Sequence, residues 1–172
     1  MAEPTFDCPD LDAFCVLDRL GLTVTAQHVG ADQSVLACRV VEPEDATERS
    51  CWCTRCGGLG VPRDTVVRRL AHVPVGWRPT LLHVTVRRYR CPGCGHVWRQ
   101  DTTSAAGLRS KLSRSAVLWA RTSVVIDRLS IARVADGLEA SWHTVNVAVL
   151  DAGRALIIND PTRLEGAGAG VR

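Results

Sequence analysis

Two five-residue stretches, "CTRCG" at 53–57 and "CPGCG" at 91–95, place two cysteines three positions apart and a glycine directly after the second. A C-x-x-C turn of this kind aims two thiolates at one point. Two such turns complete the four-sulfur tetrahedral shell that zinc favours. The spacing therefore nominates Cys53, Cys56, Cys91 and Cys94 as ligands of a structural Zn2+. A shell closed by four protein sulfurs has no open coordination position, so such an ion would hold a fold and not catalyse. Cys51, in "CWC", is an alternative to Cys53, and His96 an alternative to Cys94. A redox C-x-x-C would open a helix in a βαβ setting, whereas turn and strand patterns flank both pairs here. Cys8, Cys15 and Cys38 have no partner at ligand spacing and read as small buried hydrophobes. His28, His72 and His83 fall in strand patterns, where a lone histidine reads as packed or exposed rather than ligating.

The elements around these pairs can be read from periodicity. In residues 1–50, Leu11, Phe14, Cys15, Leu17 and Leu20 suggest a short amphipathic helix capped by Asp10 and ending at Gly21. "LTVTAQHV" and "SVLACRVV" then alternate across "GADQ" as a hairpin, followed by the charged loop "EPEDATERS". Within residues 51–100, "TVVRRLAHV" and "TLLHVTVRRYR" read as two strands joined through "PVGWRP", and they fill the span between the cysteine pairs as in a zinc ribbon. Leu82, Val84 and Val86 share one face of the second strand; His83, Thr85, Arg87 and Tyr89 share the other. Within a module expected over 101–158, residues 113–158 change to a helical period, with helices expected over "SRSAVLWARTSVVIDRL", "SIARVADGLE" and "SWHTVNVAVLDAGRALII". The tail, 159–172, reads as a linker or frayed end. The expected fold is α+β: a small β-rich zinc-ribbon module followed by a three-helix helix-turn-helix module.

Charge is distributed unevenly. Residues 1–50 carry 3 arginines against 10 acids, whereas residues 63–121 carry 12 basic residues against only Asp64 and Asp101, within a chain of net charge +3. A basic middle in an otherwise acidic chain is the electrostatic footprint of a nucleic-acid contact. Arg87, Arg88, Arg90 and Arg99 would be displayed on the ribbon beside the second cysteine pair, where they can meet phosphates. The N-terminus "MAEPTFDCPD" lacks the basic start and apolar core of a signal peptide, and "SAVLWARTSVVID" is interrupted by Arg121, so neither export nor a membrane span is expected. A cytoplasmic protein, nucleoid-associated when bound to DNA, keeps its thiols reduced and available to a metal.

"VADGLEASWHTVNVAV" has helix-turn-helix spacing. Ala135 is the small residue where two helices approach, Leu138 and Ala140 cover the turn, and Val145 anchors the second helix. Ser141 is a natural N-cap, which leaves Trp142, His143, Asn146 and Val147 facing outward at the start of a recognition helix. Asn146 can read an adenine edge and His143 a base or a phosphate. The turn position often filled by glycine is Glu139.

The order of parts, from the hairpin through "CTRCG" and "VRRYRCPGCGHVWRQ" to "LSIARVADGLEASWHTVNVAV", resembles the N-terminal part of ISL-three-type insertion-sequence transposases over most of residues 22–158. The resemblance implies zinc-finger and helix-turn-helix modules that bind double-stranded DNA at the element's terminal inverted repeats. The ribonuclease-H-like domain that cuts and joins strands in that family has no counterpart in the 14 residues after Ile158. The expected role is thus transposon-end binding without strand-transfer catalysis, as from a truncated transposase, a frameshifted remnant or a fragment of one, and a homodimer is compatible with it. A stand-alone zinc-containing DNA-binding transcriptional regulator is the alternative. From another class, a zinc-stabilised protein-interaction module would turn its basic face to an acidic partner.

Overall fold

The computed structural model describes residues 10–41 and 51–158. Cys8, the loop "EPEDATERS" and the tail after residue 158 lie outside the described residues. The chain is mixed α+β, a five-stranded sheet with four α-helices. No helix among the described residues is long and apolar enough to cross a membrane.

The first helix, α1, spans Leu11–Phe14, and the Asp10 carboxylate caps it by accepting from the Asp12 and Ala13 N–H groups. The expected continuation to Gly21 does not form. Val16 takes a left-handed φ of 56° and a 3-10 turn, Asp18–Leu20, follows. The break lets Cys15, Leu17 and Leu20 all bury against the sheet, which one straight helix face could not achieve, and leaves Phe14 73% exposed. The Asp12 side chain accepts from the Val24 N–H at 2.7 Å and from the Thr23 hydroxyl, tying this segment to the sheet edge.

Strands β1 (Leu22–Val29) and β2 (Ser34–Val40) form the expected antiparallel hairpin. Strands β3 (Val61–Val75) and β4 (Arg78–Arg90) form a second, longer one. It turns at Gly76 and Trp77, both at positive φ, as a two-residue loop matched to strand twist requires. Strand β5 (Val97–Arg99) pairs with the end of β4. The two hairpins are joined by parallel pairing of β2 with β4, from Ser34↔Thr80 to Arg39↔Thr85, in the order β1-β2-β4-β3. One sheet therefore unites residues from the first fifty with those between the cysteine pairs.

The sheet has one buried and one partly open face. Leu36, Cys38, Leu70, Leu82, Val84 and Val86 pack with Leu17, Leu20, Ala105 and Ala106 on the buried side. Arg68, on this side, is held by the Thr102 hydroxyl and the carbonyls of Gly107 and Ser110, which fixes the connection that follows β5. On the other side Ala71 joins a second core formed with Leu112 and the remaining helices. These are α2 (Arg114–Val125), α3 (Ile131–Leu138) and α4 (Trp142–Gly153), capped respectively by Ser113, Ser130 and Ser141. The expected last helix continues past Gly153 only as a π-turn, Arg154–Ile158.

His72 fastens these parts together. Its Nε2 lies 2.8 Å from the Cys15 carbonyl and its Nδ1 2.9 Å from Ser113 Oγ. A carbonyl only accepts, so Nε2 carries the proton and Nδ1 accepts from the Ser113 hydroxyl, whose oxygen in turn accepts the Ala116 N–H at 3.0 Å. Burial lowers the His72 pKa, partly offset by the Cys15 carbonyl. The unfolded chain therefore takes up a proton at a higher pH than the folded one does. The His72 contribution to stability is complete above the ordinary histidine value of about 6.5 and is lost as pH falls below it. Thermal unfolding should show a His72→Gln variant destabilised at pH 7 by about 1–3 kcal/mol. The gap to wild type should narrow as pH is lowered from 7 towards 5; a constant gap would contradict a neutral, buried imidazole.

Candidate functional site

The sulfurs of Cys53, Cys56, Cys91 and Cys94 lie within 4.8 Å of one another. The Cys53–Cys94 and Cys56–Cys91 Sγ separations are 3.6 and 3.5 Å. The structure thus brings together the four cysteines nominated by spacing, in a geometry able to hold a metal ion. Cys51 is not part of this cluster; its carbonyl accepts the Gly60 N–H at 2.7 Å. His96 is directed elsewhere, with Nε2 3.3 Å from the Thr54 hydroxyl and its ring stacked on Trp98 at 5.9 Å.

The two turns are built alike. The Gly57 N–H donates to the Cys53 carbonyl and the Gly95 N–H to the Cys91 carbonyl, both at 2.9 Å. Gly57 and Gly95 sit at φ of 70° and 69°, a region in which a side chain is strained, and this explains the glycine after each pair. Backbone N–H groups point at the sulfurs. The Cys94 N–H is the largest influence on Cys91, bringing its thiol down to about 7 against the cost of burial. Burial pushes Cys53 up, but the N–H groups of Arg55 and Cys56, with the neighbouring thiols, outweigh it and lower it. At Cys56 the Gly58 N–H lowers the thiol, yet the three neighbouring sulfurs push it up to about 12. Four thiols this close do not all ionise without a cation among them; a divalent ion reverses that repulsion.

Trp98 packs against Tyr89, His96 and Gly60, beside the two turns. Its ring stacks on Tyr89 at 5.7 Å, so Tyr89, on the otherwise outward face of β4, is only 1% exposed. The ring also covers Gly60, where a Cβ would come within 2.2 Å of Trp98 Cη2. Only glycine lets the strand entering β3 pass under this indole.

The arginines expected to meet phosphates divide between the two faces. Arg88 pairs with Arg99 in register and lies on the face shared with Val84 and Val86, with Arg90 two residues on, whereas Arg87 lies on the opposite face. Arg88 grips Asp64 through both Nε and Nη2, and Asp64 is held below the usual carboxylate range first by that contact. Much of the Arg88 charge is therefore engaged within the sheet. Arg69, absent from the expected set, is exposed on the Arg87 face. Period-two alternation from the buried Leu70 separates the adjacent Arg68 and Arg69, one turned inward and the other outward.

In the helical region Val134, Ala135, Leu138 and Val145 are buried. Glu139 ends α3 in the left-handed region at φ 49°, and Gln33 Nε2 donates to its carboxylate. The Ser141 hydroxyl accepts the Thr144 N–H at 3.2 Å to start α4. Trp142 is 54% exposed, His143 and Val147 are exposed and Asn146 is half-buried, so the residues expected to face outward do reach the surface at the first turns of α4.

Cys91→Ser should bind metal at well below one equivalent per chain, whereas Cys51→Ser and His96→Ala should retain one equivalent after dialysis, measured by elemental analysis. Full retention by Cys91→Ser, or loss in either of the others, would contradict the four-cysteine assignment.

Compared with protein-family profiles, with curated proteins and with solved structures, the chain matches none.

Proposed function

We propose that the chain binds double-stranded DNA in a sequence-specific manner, in the way of the end-binding portion of an ISL-three-type transposase. The observation that carries this reading is the presentation of Trp142, His143 and Asn146 at the N-terminal turns of α4, over a packed Ala135–Leu138–Val145 contact. In a helix-turn-helix, those are the positions that enter the major groove. Asn146 has the paired donor and acceptor that match an adenine edge. Ser141, spent on capping, and His143 reach towards phosphate or base at the groove entrance.

The metal in this reading is Zn2+ in a zinc-ribbon setting. A tetrahedron of 2.3 Å zinc–sulfur bonds has edges of about 3.8 Å, and the two closest sulfur pairs here, at 3.5 and 3.6 Å, fit it. The ion would supply structural closure alone. Arg87, Arg90 and Arg99 would add affinity and salt dependence with little sequence choice, and Arg88 less because of Asp64.

The test is selection of bound duplexes from a random pool by the zinc-loaded chain. An enriched asymmetric site, of the kind repeated at element ends, is the expected result. A palindrome with half-sites about one helical turn apart would instead indicate a dimeric regulator. No enrichment by folded, zinc-loaded protein would contradict sequence-specific binding. On the selected site, Asn146→Ala should relax preference at one position by about 1–3 kcal/mol. A uniform loss across all sequences would remove Asn146 from base reading.

A further inference from the structure

The strands of the sheet contain a single acidic residue, Asp64, and it is spent on Arg88 on the core-side face. The opposite face is open over much of its area. In register across the strands it presents Arg39, Thr85 and Val67 in one row, His83 and Arg69 in the next, and Arg87 with Thr65 beyond. Arg69, Arg87, Thr65 and Thr85 are exposed, and Val67 is 59% exposed. An antiparallel sheet commonly leaves one face to solvent; here that face is polar and cationic, and among the described residues its Arg69 and Arg87 have no acidic partner.

This face runs into the helices. A cleft of about 360 Å³ between sheet and helices is lined by Arg69, Lys111, Glu139, Ala140, Ser141 and Thr144. It joins the open sheet to the capped start of α4, the turn given the groove-entering role above. Glu139, the acid in the cleft, is hydrogen-bonded to Gln33.

We propose that the open sheet face is a phosphate track: Arg69 and Arg87, with Lys111 at the cleft, bind phosphodiesters of the duplex whose groove receives the first turns of α4. The inference rests on the DNA-binding reading and adds to it the surface that positions the helix. Arg87 pairs with Thr65, four residues along β3 from Arg69, so the two arginines are roughly 13 Å apart along the strands. That distance matches phosphates about two nucleotides apart on one DNA strand, which wind around the axis as they rise about 3.4 Å per step. Thr65 beside Arg87 and Thr85 in the row between the arginines supply hydroxyl donors for the same oxygens. The charge pattern decides between occupants: an apolar protein layer would have to desolvate two arginines that no acid among the described residues of this face meets.

The experiment measures the affinity of the full zinc-loaded chain for a mixed-sequence duplex against salt concentration. The Arg69→Ala/Arg87→Ala double variant is compared with wild type and with Arg19→Ala. Arg19 is an exposed arginine of the 3-10 turn on the buried-face side. Zinc content and melting temperature check that each variant is folded. Each phosphate contact contributes about 0.9 to the slope of log affinity on log salt. The double variant should therefore lose about 1.8 in slope, and Arg19→Ala should lose nothing. If wild type shows a steep slope that the double variant keeps, the sheet face is not the track, while DNA binding through α4 stands. If wild type binds no duplex, both readings fall. If the double variant keeps duplex binding but loses binding to polyglutamate, the face belongs to an acidic polypeptide instead.

Discussion

Four sulfur atoms held within 4.8 Å of one another govern how the rest of this chain is arranged. The two turns that carry them stand at the start of β3 and the end of β4, where Val61 pairs with Arg90. The Gly76–Trp77 turn closes the other end of the same hairpin. A hairpin with strands of 15 and 13 residues, exposed on part of one face, is open to register slip, which would move every side chain to the wrong side. Fixing it at both ends removes that freedom. A metal ion shared by the four sulfurs would thus secure which arginines face the open side and which lie against the core. Trp98 and Gly60 reinforce the closure, since the indole occupies the space a side chain at position 60 would need.

From this anchored hairpin the remaining parts follow by attachment to β4. It pairs with β3, β2 and β5, so both hairpins and the second cysteine turn share one central strand. His72 carries the connection across to the helices, bonded at one ring nitrogen to the N-terminal segment and at the other to the cap of α2. The Glu139–Gln33 contact makes a second link, between the α3–α4 turn and the β1–β2 turn. The helical segment is therefore fastened to the sheet at more than one place, so the open face and the start of α4 hold a defined relation. A helix that reads a groove gains from that, because phosphate contacts fix register while base contacts choose sequence.

Much of this was legible in the sequence where the signal was local. The C-x-x-C-G turns identified the four clustered sulfurs because the chemistry needs those residue types at that spacing. Alternation placed Leu82, Val84 and Val86 together on one face, which the structure makes the core side, and Ser141 was recognisable as a cap. Non-local facts were not legible. Nothing near Ser34–Val40 announces a parallel partner some 46 residues on, since parallel pairing leaves no turn signature. Asp64 looked like one stray acid in a basic block, and only the β3–β4 register showed it facing Arg88. The run Arg87, Arg88, Arg90 read as one patch, although a pleat sends neighbours to opposite faces. The apolar spacing of residues 11–20 fits one helix, whereas the break at Val16 answers to burial of Cys15 and Leu17 against the sheet.

The central claim is that the four clustered thiolates share one metal ion and that this closes the sheet. The most direct measurement is X-ray absorption at the zinc edge on the purified full chain. Four thiolates on one ion should give a nearest shell of four sulfurs at about 2.3 Å and no nitrogen or oxygen scatterer. A mixed sulfur–nitrogen shell, or a chain that is folded and free of metal, would contradict it.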